Sequence, residues 1–177
     1  MKIVILKGSP RKSGNSNLLA EAFKAGAAEA GHEVYEFDCT RQRVGGCLGC
    51  GVCKMNGSCV QKDDFGAIRD KLVEADMIVF ATPIYYFGMS GQLKNVIDRF
   101  YSIHNCMGRK KTVLIATMGN SNAQVADPAV SMYGKMTDYL GWEDCGQLIV
   151  ANVWAAGDVK STAYMHKAHE MGRTCCF

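Results

Sequence analysis

The sequence predicts an α/β protein, a three-layer αβα sandwich built around a five-stranded parallel sheet. Two observations lead to this prediction. Short apolar runs, most of them with little polar alternation, are typical of strands that are buried on both faces of a parallel sheet. Amphipathic stretches lie between these runs, and several end at glycine, which is typical of helices that cover such a sheet.

Five strand–helix pairs follow one another along the chain. The predicted strands are Lys2 to Gly8, His32 to Asp38, Met77 to Pro83, Thr112 to Met118 and Gly146 to Asn152. The predicted helices are Asn15 to Ala30, Asp64 to Glu74, Gln92 to Ile103, Ala129 to Leu140 and Ser161 to Arg173. The sequence has no internal repeat, low-complexity tract or linker, so we expect residues 1–177 to form one domain.

Composition and charge exclude several classes of protein. Hydrophobic residues make up 48% of the chain and charged residues 21%, which is normal for a globular protein. The net charge of +3 is too small to indicate a nucleic-acid partner. No apolar run is long enough to cross a membrane, and the first residues lack a signal-peptide pattern. We therefore expect a cytoplasmic protein with no membrane partner.

The loop after the first strand, Gly8 to Asn17, has the composition of a phosphate-binding site. Backbone N–H groups at a helix N-terminus bind anions, and this loop opens a helix. Short polar or cationic side chains supplement them at Ser9, Arg11, Ser13, Asn15, Ser16 and Asn17. The loop matches neither the P-loop nor the G-x-G-x-x-G pattern. The alternative is an ordinary strand–helix turn with a well-capped helix.

Two further loops follow the third and fourth predicted strands. Tyr85, Tyr86, Phe87 and Met89 crowd the loop from Pro83 to Gly91, where Gly88 lets a flat ligand approach the backbone. These aromatic residues suit a bound ring system, or else they cover the core or an oligomer interface. The loop from Thr117 to Asn122 adds small polar groups at the same edge of the sheet.

Four of the nine cysteines form a compact cluster in the loop after the second strand. Cys47, Cys50, Cys53 and Cys59 have the spacing C-x2-C-x2-C-x5-C, which suits an iron–sulfur cluster better than structural zinc. Redox-active thiols, zinc binding and simple packing remain alternatives. The pair Cys175 and Cys176 is interpreted as reactive thiols or as part of a docked tail.

Two of these motifs together resemble the NADPH-dependent FMN reductase family. They are G-S-P-R-x-x-G-N-S-N from Gly8 to Asn17 and T-P-I-Y-Y-F-G-M-S-G-x-L-K-N-x-I-D-R from Thr82 to Arg99. The cysteine positions are similar to those of the iron–sulfur flavoprotein-like branch of that family. The resemblance covers roughly three quarters of the chain. It implies a flavodoxin-like fold with the strand order 2-1-3-4-5.

The resemblance also implies FMN as the cofactor and assigns residues to it. The phosphate would lie on Ser9, Arg11, Ser13, Asn15, Ser16 and Asn17. The ring would lie against Pro83, Ile84, Tyr85, Tyr86, Phe87 and Gly88, with Met118, Gly119 and Asn120 on its other side. A [4Fe–4S] cluster would take Cys47, Cys50, Cys53 and Cys59 as ligands.

The function that follows is an FMN-dependent NAD(P)H oxidoreductase. We expect it to pass hydride from NAD(P)H to FMN and then reduce a small acceptor such as a quinone, a nitro or azo compound, a flavin or a metal ion. No side chain is assigned as a catalytic acid or base. The family resemblance implies a homodimer or homotetramer. The alternatives are an iron–sulfur electron carrier reduced by ferredoxin and a non-enzymic flavin-binding module.

Overall fold

The chain folds around a parallel sheet, and the computed structural model describes residues 1–174, so Cys175 and Cys176 lie outside the described residues. The strands are β1 (Lys2–Lys7), β2 (Glu33–Asp38), β3 (Met77–Tyr85), β4 (Gly88–Met89), β5 (Lys111–Thr117) and β6 (Glu143–Val150). The helices are α1 (Asn15–Glu29), α2 (Phe65–Glu74), α3 (Gly91–Asp98), α4 (Asp127–Leu140) and α5 (Tyr164–Thr174). Short 3₁₀ helices span Arg99–Cys106, Ala123–Ala126 and Asp158–Ser161.

The five long strands run parallel in the order β2-β1-β3-β5-β6. Strand β4 has two residues and pairs antiparallel with the end of β3, outside this series. Counted along the chain without β4, the parallel strands have the predicted order 2-1-3-4-5. The flavodoxin-like topology is therefore confirmed.

Three element boundaries differ by three residues or more from those predicted. The helix predicted from Gln92 to Ile103 is split, because α3 ends at Asp98 and a 3₁₀ helix begins at Arg99. Strand β6 begins at Glu143 and not at Gly146, since its first two residues are polar and exposed and carry no apolar signal. Helix α5 begins at Tyr164, after a 3₁₀ turn that the sequence pattern does not separate from it.

Successive residues of the strands point to opposite faces of the sheet and belong to two cores, one on each face. On one face Val4, Leu6, Ile78 and Phe80 pack against helices α2, α3 and α4. On the other face Ile3, Ile5, Val79 and Ile115 pack against α1 and α5. Because both faces are covered, the carboxyl ends of the strands are the open edge where a ligand can bind. No helix among residues 1–174 is long and apolar enough to cross a membrane.

Helices α1 and α5 approach closely through glycine. A Cβ atom on Gly172 would lie 1.9 Å from the carbonyl oxygen of Phe23, and one on Gly26 would lie 2.0 Å from that of His169. Real Cβ atoms do not approach backbone oxygen so closely, so either substitution must push the helices apart.

We expect Gly172→Ala to lower the free energy of unfolding by about 1–3 kcal/mol, because overpacking outweighs the better helix propensity of alanine. The matched control is Gly134→Ala in α4, where a Cβ meets nothing within 4 Å. That change is expected to raise stability by about 0.5–1 kcal/mol. Urea unfolding of both variants measures the difference, and equal effects would contradict the helix contact.

Candidate functional site

A cavity of about 220 Å³ opens at the carboxyl ends of the central strands. It is lined by Ser9, Arg11, Gly14, Asn15, Pro83, Ile84, Tyr85, Thr117, Met118, Gly119, Val153 and Trp154. The loops after β1, β3 and β5 meet here as the sequence predicted, and the loop after β6 joins them. Pockets that enclose a small ligand usually measure roughly 300–1,000 Å³. This cavity would therefore hold only part of a ligand the size of FMN.

The N-terminus of α1 borders the cavity through Gly14 and Asn15. Gly14 precedes the helix and supplies no side-chain cap. Within residues 1–174, the N–H groups of Asn15, Ser16 and Asn17 have no hydrogen-bond acceptor. The hydroxyl of Ser16 is also buried without a partner. Unpaired donors at a helix N-terminus match an anionic phosphate, so this structure fits the phosphate of FMN.

The two asparagines of this loop shape the site through their side chains. The amide of Asn15 donates to the carbonyls of Val153 and Ala155 at 3.2 and 2.9 Å. Its oxygen accepts the N–H groups of Gly157 and Val159 at 3.1 and 3.2 Å. The side chain of Asn15 is thus fully engaged with the loop after β6. Only its backbone N–H is open to a phosphate.

Asn17 shapes the same loop from the other side. Its amide donates to the carbonyls of Ser9 and Arg11 at 3.3 and 3.2 Å. Its buried oxygen has no partner among the described residues and, being an acceptor, does not suit a phosphate oxygen. The side-chain amide of Asn17 is therefore already engaged, and its backbone N–H is the donor that remains for a phosphate.

Of the other predicted residues of this loop, Ser9 is buried, whereas Arg11 and Ser13 are exposed. The backbone N–H of Arg11 donates to the hydroxyl of buried Ser9 at 3.4 Å. The guanidinium of Arg11 donates to the carbonyl of Trp154 at 3.1 Å. Ser13 is exposed and does not line the cavity. Its contact with a phosphate remains a prediction.

A strained hairpin adjoins the cavity. Pro83, Ile84 and Tyr85 on its first strand line the cavity, whereas the turn residues Tyr86 and Phe87 are not among the lining residues. Strands β3 and β4 are joined by Tyr86 and Phe87, whose φ angles of 45° and 67° lie in the left-handed region. Two consecutive residues with positive φ are the turn that hairpins prefer, but glycine and asparagine normally occupy it. The ring of Tyr86 is fully exposed and that of Phe87 is 55% exposed. These two rings therefore do not cover the core.

Replacing this strained pair by a favoured turn, Tyr86→Asn with Phe87→Gly, is expected to raise the free energy of unfolding by about 1–2 kcal/mol. The same change should reduce the flavin retained on purification, because two exposed rings are lost. Urea unfolding and the flavin-to-protein absorbance ratio measure the two effects. Tyr86→Ala is the control, since it removes a ring without favouring the left-handed conformation. Equal stability of the two variants would contradict strain at the turn.

The loop after β5 contributes the opposite wall. Met118 is buried, Gly119 is half-buried, and Asn120 is exposed outside the cavity lining. The side chain of Asn120 accepts the N–H of Asn122 at 2.8 Å, which shapes the turn. Of these three predicted residues, the cavity brings together Met118 and Gly119, and Asn120 stays a prediction.

Trp154 is a wall residue that the sequence analysis did not identify. It is 79% exposed, and its ring lies on Gly119, where a Cβ atom would be only 2.3 Å from Cε3. Gly119 is therefore needed for the close approach of this ring. The sequence signal that could have identified Trp154 is a tryptophan in the loop after the last predicted strand, because that loop lies at the same edge of the sheet as the other ligand-binding loops.

The four loop cysteines line a second, much smaller cavity of about 20 Å³. Cys47 and Cys50 are exposed, and Cys53 and Cys59 are half-buried. The N–H of Gly49 points to the sulfur of Cys47 at 3.4 Å. Within residues 1–174, no three His, Cys, Asp or Glu side chains are placed to share one metal ion. The donor set fits a cluster in type and number, but the loop must widen to hold one.

Cys39 has different surroundings from the four loop cysteines. Cys39 is buried at the end of β2, and burial raises the pKa of its thiol to about 12. A thiol of this kind is inert and packs as a small apolar residue. Cys39 is thus chemically separate from the loop cysteines.

The family model for NADPH-dependent FMN reductases matches residues 1–142. This chain belongs to the NADPH-dependent FMN reductase family. The match includes the loop at the start of α1 and the strained hairpin, and it confirms the resemblance that these two motifs carry. The family is named for the NADPH-dependent reduction of FMN.

Individual relatives fall into two groups by name. An iron–sulfur flavoprotein of Archaeoglobus fulgidus is 36% identical over 99 residues, which are 56% of this chain and 45% of that protein. A protein of Bacillus subtilis, provisionally named NAD(P)H-dependent FMN-containing oxidoreductase YwqN, is 27% identical over 164 residues, which are 84% of each chain. The chain spans about half the length of the first iron–sulfur relatives it matches.

The fold is shared with solved structures. An NAD(P)H:quinone oxidoreductase from Methanothermobacter marburgensis superimposes with a TM-score of 0.78 at 20% identity. The superposition covers 99% of this chain and 96% of that one. At this level of identity the similarity supports the flavodoxin-like fold alone.

Proposed function

We propose that this chain binds FMN at the open edge of its sheet and uses it to transfer electrons from NAD(P)H to a small acceptor. The observation that carries the proposal is the pairing of two features in one cavity. Unpaired N–H groups at the start of α1 offer an anion site there. Pro83, Ile84 and Tyr85, on the first strand of the exposed aromatic hairpin, line the same cavity. Bound FMN would supply the redox chemistry, and the protein would bind, orient and shield it.

The phosphate would be held by the N–H groups of Asn15, Ser16 and Asn17, with Ser9 and Arg11 beside them. These donors match an anion in number and position, and the dipole of α1 adds to them. No anionic side chain of the part of the chain that the structure describes lines the cavity to oppose a phosphate.

The ring would lie between the β3–β4 hairpin and the wall of Met118, Gly119 and Trp154. Among the described residues 1–174, the titratable side chains that line the cavity are those of Arg11 and Tyr85. No catalytic acid or base is proposed, because bound FMN would supply the chemistry. The protein's task at this end is to position the ring and leave one face open to NAD(P)H and then to the acceptor.

The visible absorption spectrum of the anaerobically purified chain, recorded before and after NADPH, tests the proposal. Flavin bands that NADPH bleaches and benzoquinone restores would support it. Flavin that NADPH leaves oxidised would reject the oxidoreductase and favour a flavin-binding module without enzymic activity. A chain that neither retains nor rebinds FMN would reject both.

The second candidate is an iron–sulfur flavoprotein that carries electrons between the flavin and a protein such as ferredoxin. It is favoured by the single cavity that Cys47, Cys50, Cys53 and Cys59 line together. The name shared by several relatives supports it as well. Iron and acid-labile sulfide measured in the same preparation test it, and their absence after anaerobic reconstitution would reject it.

A homodimer or homotetramer in the cytoplasm is part of the proposal. Tyr86, Phe87 and Trp154 leave large apolar surfaces exposed around a cavity too small for the whole cofactor. A second copy of the chain would cover these surfaces and complete the site. Light scattering of the flavin-loaded protein tests this, and a monomer at micromolar concentration would reject it.

A further inference from the structure

The cysteine loop begins on a fixed support. The side chain of Asn95 donates to the carbonyl of Val44 at 3.2 Å, and that of Arg99 donates to the carbonyl of Gly45 at 3.1 Å. Asp63 accepts the N–H of Gly45 at 3.0 Å from the other side. The first limb of the loop is therefore held just before Cys47.

The second limb is held in the same way. The N–H of Asn105 donates to the carbonyl of Met55 at 3.1 Å, and the N–H of Gly57 donates to the carbonyl of Ser102. Both partners lie on the 3₁₀ helix Arg99–Cys106. Because its two limbs are anchored to one support, the loop presents its cysteines from a defined position.

Arg99 stands out in this support because it is a charged side chain that is only 1% exposed. Its Nη1 lies 2.6 Å from the carboxylate of Asp63, and its guanidinium lies 4.8 Å from the centre of the Phe65 ring. Burial works to raise the pKa of Asp63, but hydrogen bonds from Arg99 and Gly45 lower it below its usual value. The carboxylate is thus ionised and balances the charge of Arg99.

The Nε–H donor of this guanidinium is unused. The Nε of Arg99 is buried and has no partner within residues 1–174. Arg99 also lines the small cavity together with all four loop cysteines. A buried cationic donor without an acceptor is costly, so a group in this cavity that accepts a hydrogen bond would satisfy it. If Arg99 only anchored Gly45 and Asp63, its Nη1 would be sufficient. Such a role does not explain why a second donor, Nε, is buried.

We propose that Arg99 is a positioning residue for a [4Fe–4S] cluster, supplying a buried positive charge and the Nε–H donor to its sulfur atoms. The inference rests on the second candidate function above. Hydrogen bonds to sulfur and nearby charge set the reduction potential of such clusters. A fixed cation favours the more negative, reduced form, so Arg99 raises the potential of the cluster.

The two ends of the Arg99–Asp63 pair provide the test. Arg99→Met removes the cation and leaves the carboxylate, whereas Asp63→Asn removes the carboxylate and leaves the cation. Both changes break the same ion pair. If the pair is merely structural, the midpoint potential of the cluster should therefore shift in the same direction in both variants. An electrostatic role shifts its midpoint potential downwards in Arg99→Met and upwards in Asp63→Asn.

The full-length protein is purified anaerobically, its iron and sulfide are measured, and the cluster is titrated with dithionite under electron paramagnetic resonance. The flavin absorbance, titrated in the same samples, controls for general effects on the protein. Opposite shifts of the cluster potential support the inference. An unchanged potential, or shifts in one direction, would overturn it and leave the second candidate function standing.

A wild-type protein without iron and sulfide after reconstitution overturns the second candidate function and this inference together. If Arg99→Met fails to fold, judged by circular dichroism and FMN binding, Asp63→Asn still decides. A rise in its cluster potential supports the inference, and no change or a fall overturns it. Arg99→Lys keeps the positive charge and lacks Nε, so it should retain more iron than Arg99→Met. Equal loss of iron in the two variants would contradict a role for the positive charge.

Discussion

Replacing Ser16 by alanine is expected to weaken FMN binding about tenfold while raising the stability of the FMN-free protein by about 1 kcal/mol. The two effects have opposite signs for one reason. The hydroxyl of Ser16 is buried and has no partner in the described part of the chain, so it destabilises the FMN-free protein. When a phosphate occupies the N-terminus of α1, the same hydroxyl gains an acceptor and contributes to binding.

Riboflavin separates this effect from a general loss of the site, since it has the ring of FMN and lacks the phosphate. We expect Ser16→Ala to leave riboflavin affinity unchanged, measured by fluorescence quenching alongside FMN. The matched control is Ser13→Ala, whose hydroxyl is exposed and outside the cavity lining. Equal losses of FMN and riboflavin affinity would show that the phosphate does not lie at the start of α1.

The sequence predicted the sheet and its order because the relevant signals are local. Buried strands such as Met77 to Pro83 are short apolar runs, and Gly141 ends α4 in the left-handed conformation that glycine favours. The ligand edge also follows from topology, since loops after parallel strands converge there. Ser9, Arg11, Pro83 and Met118 were therefore brought together as expected.

What the sequence did not predict depends on contacts between distant residues. Asn15 and Asn17 were assigned to the ligand, but their side chains bond to backbone that only the folded chain brings near. Arg99 looked like part of a helix, and its pairing with Asp63 spans 36 positions in sequence. The left-handed turn at Tyr86 and Phe87 opposes their local preference, and strain of this kind is concentrated at functional sites.

Asn15→Ala is expected to lower the free energy of unfolding by about 2–4 kcal/mol, the largest loss that we predict for a site residue. The substitution deletes four hydrogen bonds and leaves the N–H of Val159 buried without its acceptor. It also releases the loop that carries Trp154 over Gly119. Because this loop forms the ring wall, FMN and riboflavin affinities should both fall, unlike the phosphate-specific loss from Ser16→Ala.

Thermal and urea unfolding of Asn15→Ala, with titrations of both flavins, measure these effects. Asn105→Ala is the matched control, since its side chain makes one exposed hydrogen bond, to Asn56 at 3.3 Å. That variant should lose less than about 0.5 kcal/mol. A selective loss of FMN affinity in Asn15→Ala would mean that its side chain serves the phosphate directly and that the loop after β6 is held by other contacts. Loss of affinity for both flavins would mean that the Asn15 side chain holds the loop that forms the ring wall. The ring would then depend on the side chain of Asn15 and the phosphate on that of Ser16, in the same turn of α1.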